Sequence, residues 1–118
     1  MKFSLLMYTV PADARAMTPS EIQAVQRKHE ALVEELTHKG VLLNGAGMVP
    51  PDQTVLLRLG ADGIETHGGP LSAAPGEHLS AYYVVECDLD EAREIAGRLL
   101  DDHVTAVETR EIHDFVGM

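Results

Sequence analysis

The chain has 118 residues, of which 45% are hydrophobic and 24% charged, a balance that is typical of one globular domain spanning 1–118. Nine basic residues stand against 19 acidic residues, so the formal net charge is -10 at pH 7. Because a phosphate backbone or an anionic membrane surface selects basic proteins, we expect neither nucleic acid nor a membrane as a partner. A disulfide within the chain is excluded, since Cys87 is the only cysteine.

The amino-terminal segment resembles a signal peptide over only a few residues. Its apolar run from Phe3 to Tyr8 is too short, and Pro11 and Asp13 follow soon after it. No apolar run in the sequence approaches the roughly 20 residues that a membrane-spanning helix needs. We therefore expect a cytoplasmic protein whose first segment, Lys2–Val10, is a β-strand that stops before Pro11.

Two segments combine helix-start signals with apolar residues at helical spacing. In the first segment, Thr18 and Glu21 predict a capping box and Gly40 predicts the end of the helix. Its apolar stripe follows spacings of three and four: Ile22, Val25, His29, Leu32 and Leu36. In the second segment, Asp88 and Glu91 predict another capping box. The apolar face there consists of Leu89, Ala92, Ala96 and Leu99.

The rest of the chain is divided into predicted strands and connections. Residues 11–17 are expected to form a link. The predicted strands after it are 41–43, Thr54–Leu59, Ile64–Thr66, Ala81–Glu86 and Val104–Ile112. The glycines and prolines of residues 45–51 cannot pair regularly in a central strand. The glycine- and proline-rich loop His67–His78 is longer than most structural connections, which hints at a function.

The order of these elements predicts an α+β domain of the ferredoxin-like, split βαβ type, with an antiparallel sheet and two helices on one face. Strand alternation then places apolar side chains on both sheet faces. On the first strand, Phe3, Leu5 and Met7 alternate with Ser4, Leu6 and Tyr8. The face without helices needs a cover, and a second sheet of the same kind supplies one, so we expect a homodimer.

The sequence resembles the YCII-related family, in particular its DGPF-domain branch. The matching segments run in order along nearly the whole chain: 2–8, 18–21, 40–42, 69–70, 81–86, 88–92 and 107–110. The resemblance implies the dimeric α+β-barrel fold with ferredoxin-like subunits. It implies little about activity, because most of the family has no assigned reaction.

The signature of that family is altered in this chain. Where Asp-Gly-Pro-Phe is usual, the sequence has Gly68-Gly69-Pro70-Leu71, and the Lys common a few residues later is absent. His67 and His78 frame the same loop and are the available substitutes. The resemblance also implies that His29 works with an Asp after the second helix, where this chain has Asp101-Asp102.

The candidate catalytic residues are therefore His29, His67, His78 and Asp102. On the apolar stripe, His29 is either a hydrogen-bonded core residue or a general acid or base, since its ordinary pKa of about 6.5 suits proton transfer. The loop histidines are either solvated or lie at the mouth of a cleft. A metal site formed by them with Glu77 matches no strong ligand spacing, so we expect no metal.

The candidate substrate-binding residues are Tyr8, Tyr82 and Arg58. The tyrosines either pack within the sheet or donate a hydrogen bond to a substrate oxygen, and the arginine either lies on the surface or binds a carboxylate. No dinucleotide, flavin or haem motif is present, and we expect no cofactor. One hypothesis is a small enzyme with acid/base chemistry of lyase, isomerase, dehydratase or cyclase type on a small organic molecule. The alternative is a non-catalytic, dimeric small-molecule-binding module that has lost the family's Asp and Lys.

Overall fold

A four-stranded antiparallel sheet, a separate two-stranded sheet and three helices form the structure, a computed structural model that describes residues 1–72 and 74–117. The strands are β1 (Lys2–Thr9), β2 (Leu42–Gly47), β3 (Val55–Gly60), β4 (Gly63–Gly68), β5 (His78–Glu86) and β6 (Val104–Glu111). The helices are α1 (Pro11–Arg15), α2 (Pro19–His38) and α3 (Leu89–Leu99). The predicted α+β class is confirmed. Within the described ranges, no helix is both long and apolar enough to cross a membrane.

The larger sheet has the strand order β2-β5-β1-β6, with every neighbouring pair antiparallel. Its register places Leu5 opposite Tyr83 and Leu6 opposite Tyr82, so the two tyrosines lie on opposite faces. One face packs against α2 and α3 to form the core, whose largest members without solvent exposure include Leu5, Leu36, Ile95, Leu99 and Val85. This core holds α2 and α3 against one face of the sheet and so positions the α2 side chains that reach β5.

The first predicted capping box is confirmed in both halves. The Glu21 backbone N–H donates to Thr18 Oγ1 (3.2 Å), and the Thr18 backbone N–H donates to Glu21 Oε1 (3.3 Å). At the start of α3, Asp88 Oδ1 accepts from the Glu91 backbone N–H at 2.8 Å. The predicted stripe of α2 is wrong at its amino-terminal end, where Ile22 is 44% exposed. Only the carboxy-terminal half of this helix lies over the sheet.

Three connections differ from the sequence prediction. The expected link before α2 contains the short helix α1, which Pro11 begins and whose Ala14 N–H donates to the Val10 carbonyl. β2 continues through Gly47, which pairs with Ala81, because an edge strand needs partners on one side only. β4 and β5 each extend into the predicted long loop and shorten it to residues 69–77, of which residue 73 lies outside the described residues.

The second sheet is a hairpin of β3 and β4, joined by a turn at residues 61–62. Its pairing places Leu57 opposite Thr66 and Leu59 opposite Ile64. Four aliphatic side chains therefore share one face, and each is at least 62% exposed. We call them the hairpin stripe: Val55, Leu57, Leu59 and Ile64.

Candidate functional site

A histidine from the helix layer meets a tyrosine from the sheet. The Nδ1 atom of His29, near the middle of α2, lies 2.9 Å from the Oη atom of Tyr83 on β5. Their rings are tilted by 54° with centroids 6.1 Å apart. Tyr83 shares the helix-covered face with Leu5, so the hydrogen bond spans the space between the two layers.

The pair borders a hollow of about 400 Å³ at the β2 edge of the sheet. The other lining residues all have small side chains or none: Gly45, Ala46, Gly47 and Ala81. Close approach requires glycine at one of these positions, because a Cβ atom on Gly45 would lie 2.6 Å from Cδ1 of Tyr83. The Gly-Ala-Gly segment of β2 therefore keeps the space beside the His29–Tyr83 pair open.

The surroundings hold both groups in their uncharged forms at neutral pH. Partial burial lowers the pKa of His29, and the charge of the Lys28 ammonium lowers it further, while the Asp101 carboxylate opposes this shift. Burial also raises the pKa of Tyr83 above its ordinary value of 10.0. A neutral imidazole and a protonated phenol therefore face the hollow.

The hydrogen bond fits either tautomer of the imidazole. When Nδ1–H donates to Tyr83 Oη, the Nε2 atom of His29 carries a free lone pair, and the phenol proton is available to a bound oxygen. When Tyr83 donates to Nδ1, the Nε2 atom carries a proton instead. The pair therefore has the groups of a general base with an adjacent hydrogen-bond donor, and the reverse form serves as a general acid.

The carboxylate expected beside His29 binds its neighbour instead. Asp101 Oδ2 accepts from Lys28 Nζ at 2.8 Å, and Asp101 Oδ1 accepts from the backbone N–H groups of His103 and Val104 at 2.7 Å each. Burial alone would raise the pKa of Asp101, but these hydrogen bonds outweigh it and lower the pKa. Asp102 is exposed and borders a different hollow, so the structure does not bring Asp102 to His29.

Neither of the two loop histidines is hydrogen-bonded to His29 or to the other loop histidine in the described structure. His67 is exposed on β4, where it stands opposite Leu56. His78 begins β5, and its Nε2 donates to the Ala74 carbonyl at 3.0 Å. The third member of the metal alternative, Glu77, accepts a hydrogen bond from Thr105. In residues 1–72 and 74–117, no three metal-binding side chains cluster.

The candidate substrate-binding residues are also remote from the hollow. Tyr8 and Tyr82 lie on the sheet face opposite the helices, where the Tyr8 hydroxyl donates to Glu108. Arg58 is exposed on the hairpin opposite Glu65. Tyr83 was not among the residues that the sequence predicted for the site. Its alternation with Tyr82 carried the missing signal, since it places one tyrosine on each face and the helical His29 can reach only one of them.

No protein-family model matches the chain, and no curated protein is significantly similar to it. The function is therefore inferred from the contacts within the chain itself.

Proposed function

We propose that the chain is a small enzyme that moves a proton on a small organic molecule without a cofactor. His29 is the acid/base residue, and Tyr83 is the hydrogen-bond donor beside it. The observation that carries this proposal is the 2.9 Å contact between His29 Nδ1 and Tyr83 Oη at the border of an open hollow. A neutral histidine can accept a proton at neutral pH, which supports the assignment of the base.

The reaction that suits this pair is proton abstraction from a carbon next to a carbonyl group. His29 Nε2 takes the proton, and the electron pair of the C–H bond moves towards the carbonyl oxygen. Tyr83 O–H donates to that oxygen as negative charge develops on it. Return of the proton from Nε2 to another carbon completes an isomerisation, whereas loss of a group from the neighbouring carbon completes an elimination.

The test is hydrogen–deuterium exchange at carbon in D₂O, measured by proton NMR on a panel of small 2-oxo acids and 1,3-dicarbonyl compounds. We expect the protein to accelerate exchange of at least one compound. His29→Gln should abolish this acceleration, and Tyr83→Phe should reduce it by roughly 10²-fold, the effect of losing one oxyanion donor. His38→Gln, at the exposed end of α2, is the matched control and should exchange like the wild type.

The variants must also retain the fold. Melting temperatures of His29→Gln and Tyr83→Phe within a few degrees of the wild type would attribute lost exchange to lost chemistry. Exchange that persists in His29→Gln would contradict the proposed base. Exchange lost equally in the His38→Gln control would contradict the assignment to the hollow.

A non-catalytic small-molecule-binding module is the second candidate, and one observation favours it. Among the described residues that line the hollow, only His29 and Tyr83 have polar side chains. A binding module is expected to show thermal stabilisation by a compound of the panel without exchange at carbon. An enzyme shows both effects, so the two measurements together separate the candidates.

We also propose that the chain is a YCII-related protein with a ferredoxin-like subunit that forms a dimeric α+β barrel. The strand order β2-β5-β1-β6, with helices on one face, supports the subunit fold. The opposite face supports the dimer, because Leu6 and Tyr82 lie side by side there and are only partly buried in the single chain. Light scattering after gel filtration should give twice the mass of one chain. The Leu6→Lys substitution should reduce the measured mass to that of a single chain. A wild-type protein of single chain mass at every concentration would contradict the dimer.

A further inference from the structure

Two hollows meet where β1 ends and α1 begins. The smaller has a volume of about 220 Å³ and the larger about 580 Å³. Pro11, Arg15 and Pro51 line both of them. Neither hollow shares a lining residue with the hollow beside His29.

The smaller hollow is largely apolar. Met48, Val49 and Leu79 line it and are 45%, 63% and 40% exposed, so three large apolar side chains remain partly in contact with solvent. One of its polar groups is already occupied, since the Ser80 hydroxyl donates to the Met7 carbonyl at 3.2 Å. A short hydrocarbon chain would remove this apolar surface from water without leaving the Ser80 hydroxyl unpaired.

Arg15 is the only lysine or arginine among the described residues that line either hollow. It lies in the last turn of α1, which the Asp13 and Ala14 N–H groups anchor to the Val10 carbonyl at 3.0 and 3.1 Å. The chain has 19 acidic residues, yet no described carboxylate pairs with Arg15 within 4.0 Å. Arg15 therefore borders both hollows and has no anionic partner in the described part of the chain.

We propose that this place is a binding site for a small monocarboxylic acid with a short apolar chain. The carboxylate binds the Arg15 guanidinium, which matches it with two parallel N–H donors. The apolar chain enters the smaller hollow beside Met48, Val49 and Leu79. Asp52 lines the larger hollow and repels a second carboxylate there, so the site favours a monoacid over a diacid.

The test uses butanoate, hexanoate and octanoate, each compared with its primary amide, as probes in calorimetry and thermal-shift measurements on the full chain. We expect the acids to bind, with affinity that increases with chain length, and the amides to bind at least tenfold more weakly. Arg15→Gln should weaken hexanoate binding at least tenfold and leave hexanamide binding unchanged. Arg27→Gln, an exposed arginine on α2, is the matched control and should bind like the wild type.

Three results would overturn the proposal: no binding of any acid at millimolar concentration, equal binding of acids and amides, or equal losses in the Arg15 and Arg27 variants. Leu79→Ser gives a second measurement, since it should flatten the dependence on chain length while the preference for acids remains. These readouts do not involve proton exchange. Failure here therefore leaves the His29 proposal standing, and failure of the exchange experiment leaves this site standing.

Discussion

The two sheets of the molecule use the same alternation of side chains and reach opposite outcomes. In the four-stranded sheet, the apolar face of β1 is covered by α2 and α3, and Leu5 has 0% exposure. In the hairpin, the apolar face is open, and Leu59 is 87% exposed. An alternating strand therefore determines which side chains share a face, whereas burial depends on a second layer that the strand itself does not encode.

The overall dimensions reflect this difference. The radius of gyration of the described chain is 16.0 Å. A compact domain of this length is expected to have about 13.5 Å. β3 and β4 pair mainly with each other, and an isolated two-stranded hairpin is marginally stable in water. Substitutions in the larger sheet and its helices should therefore change the free energy of unfolding, and equivalent substitutions in the hairpin should not.

The largest contrast is expected between two leucines. Leu99 on α3 has 0% exposure, and Leu99→Ala should lower the free energy of unfolding by about 2–5 kcal/mol, because it removes buried methyl groups and leaves a cavity. Leu57→Ala removes the same atoms from the hairpin stripe, where 62% of the side chain is exposed. Its effect should stay within about 0.5 kcal/mol. Urea denaturation of dilute protein measures both, and equal losses would show that the stripe is buried in solution.

A second contrast concerns two glycines. Gly45→Ala brings a Cβ atom to 2.6 Å from the Tyr83 ring, which is held between sheet and helix, so the cost should be about 1–3 kcal/mol. Gly60→Ala meets the side chain of Glu65, which is exposed and can rotate away. We expect Gly60→Ala to change stability by less than 1 kcal/mol. Thermal unfolding of both variants tests this, and a larger loss in the hairpin variant would contradict it.

The Gly45 variant also reports on the candidate site. Displacement of the Tyr83 ring should weaken the hydrogen bond to His29. The imidazole N–H proton of His29 should then exchange faster with water. NMR of the imidazole in the wild type, Gly45→Ala and Gly60→Ala measures this. An unchanged His29 signal in Gly45→Ala would mean that the ring accommodates the extra carbon.

Much of the fold followed from local patterns. Thr18 and Glu21 predicted the start of α2, and the alternation along β1 predicted which of its side chains share a face, because capping and strand periodicity act over a few residues. The helix α1 was missed, since five residues leave no room for a periodic pattern. The length of β2 was underestimated because its glycines are unfavourable in a central strand, while the chain places β2 at an edge.

The candidate site was predicted only in part. His29 was identified from its place on the apolar stripe, and the structure supplies its partner, Tyr83. The expected acidic partner was not found because Lys28 lies one residue earlier and takes the carboxylate of Asp101. The partner that an α2 side chain reaches depends on the orientation of α2 about its own axis above the sheet. That orientation is set by long-range packing rather than by local sequence.

A smaller effect is expected from the ion pair between Lys28 and Asp101. Lys28 Nζ also donates to the Leu99 carbonyl at 3.2 Å, so it joins α2 to the end of α3, and Lys28→Met should cost about 1 kcal/mol at neutral pH. Folding lowers the pKa of Asp101, so its contribution is present above its ordinary pKa of 3.8 and disappears as pH falls through the folded value. The difference between wild type and Lys28→Met should therefore shrink below about pH 3.8.

Arg58→Met is the control for that measurement. Arg58 stands opposite Glu65 on the hairpin, but no ion pair within 4.0 Å joins them in the described structure. Unfolding followed by circular dichroism from neutral to acidic pH should show no pH-dependent difference between Arg58→Met and the wild type. If the free energies of unfolding of the wild type and Lys28→Met differed by the same amount down to the lowest pH, the proposed role of Asp101 would be contradicted.

The smallest change in stability is expected from Leu59→Ser in the hairpin stripe. Since 87% of this side chain is already exposed, the free energy of unfolding of dilute protein should change by no more than about 0.5 kcal/mol. Amide hydrogen exchange gives the sharper readout, because the β3–β4 amides should exchange through local opening while those of β1 and β5 require global unfolding. If the hairpin amides were protected as strongly as those of β1, the stripe would have to be covered in solution. In that case Leu59→Ser should selectively lower the protection of the hairpin amides from exchange. The difference in exposure between the two sheets would then hold only for a single chain without a partner.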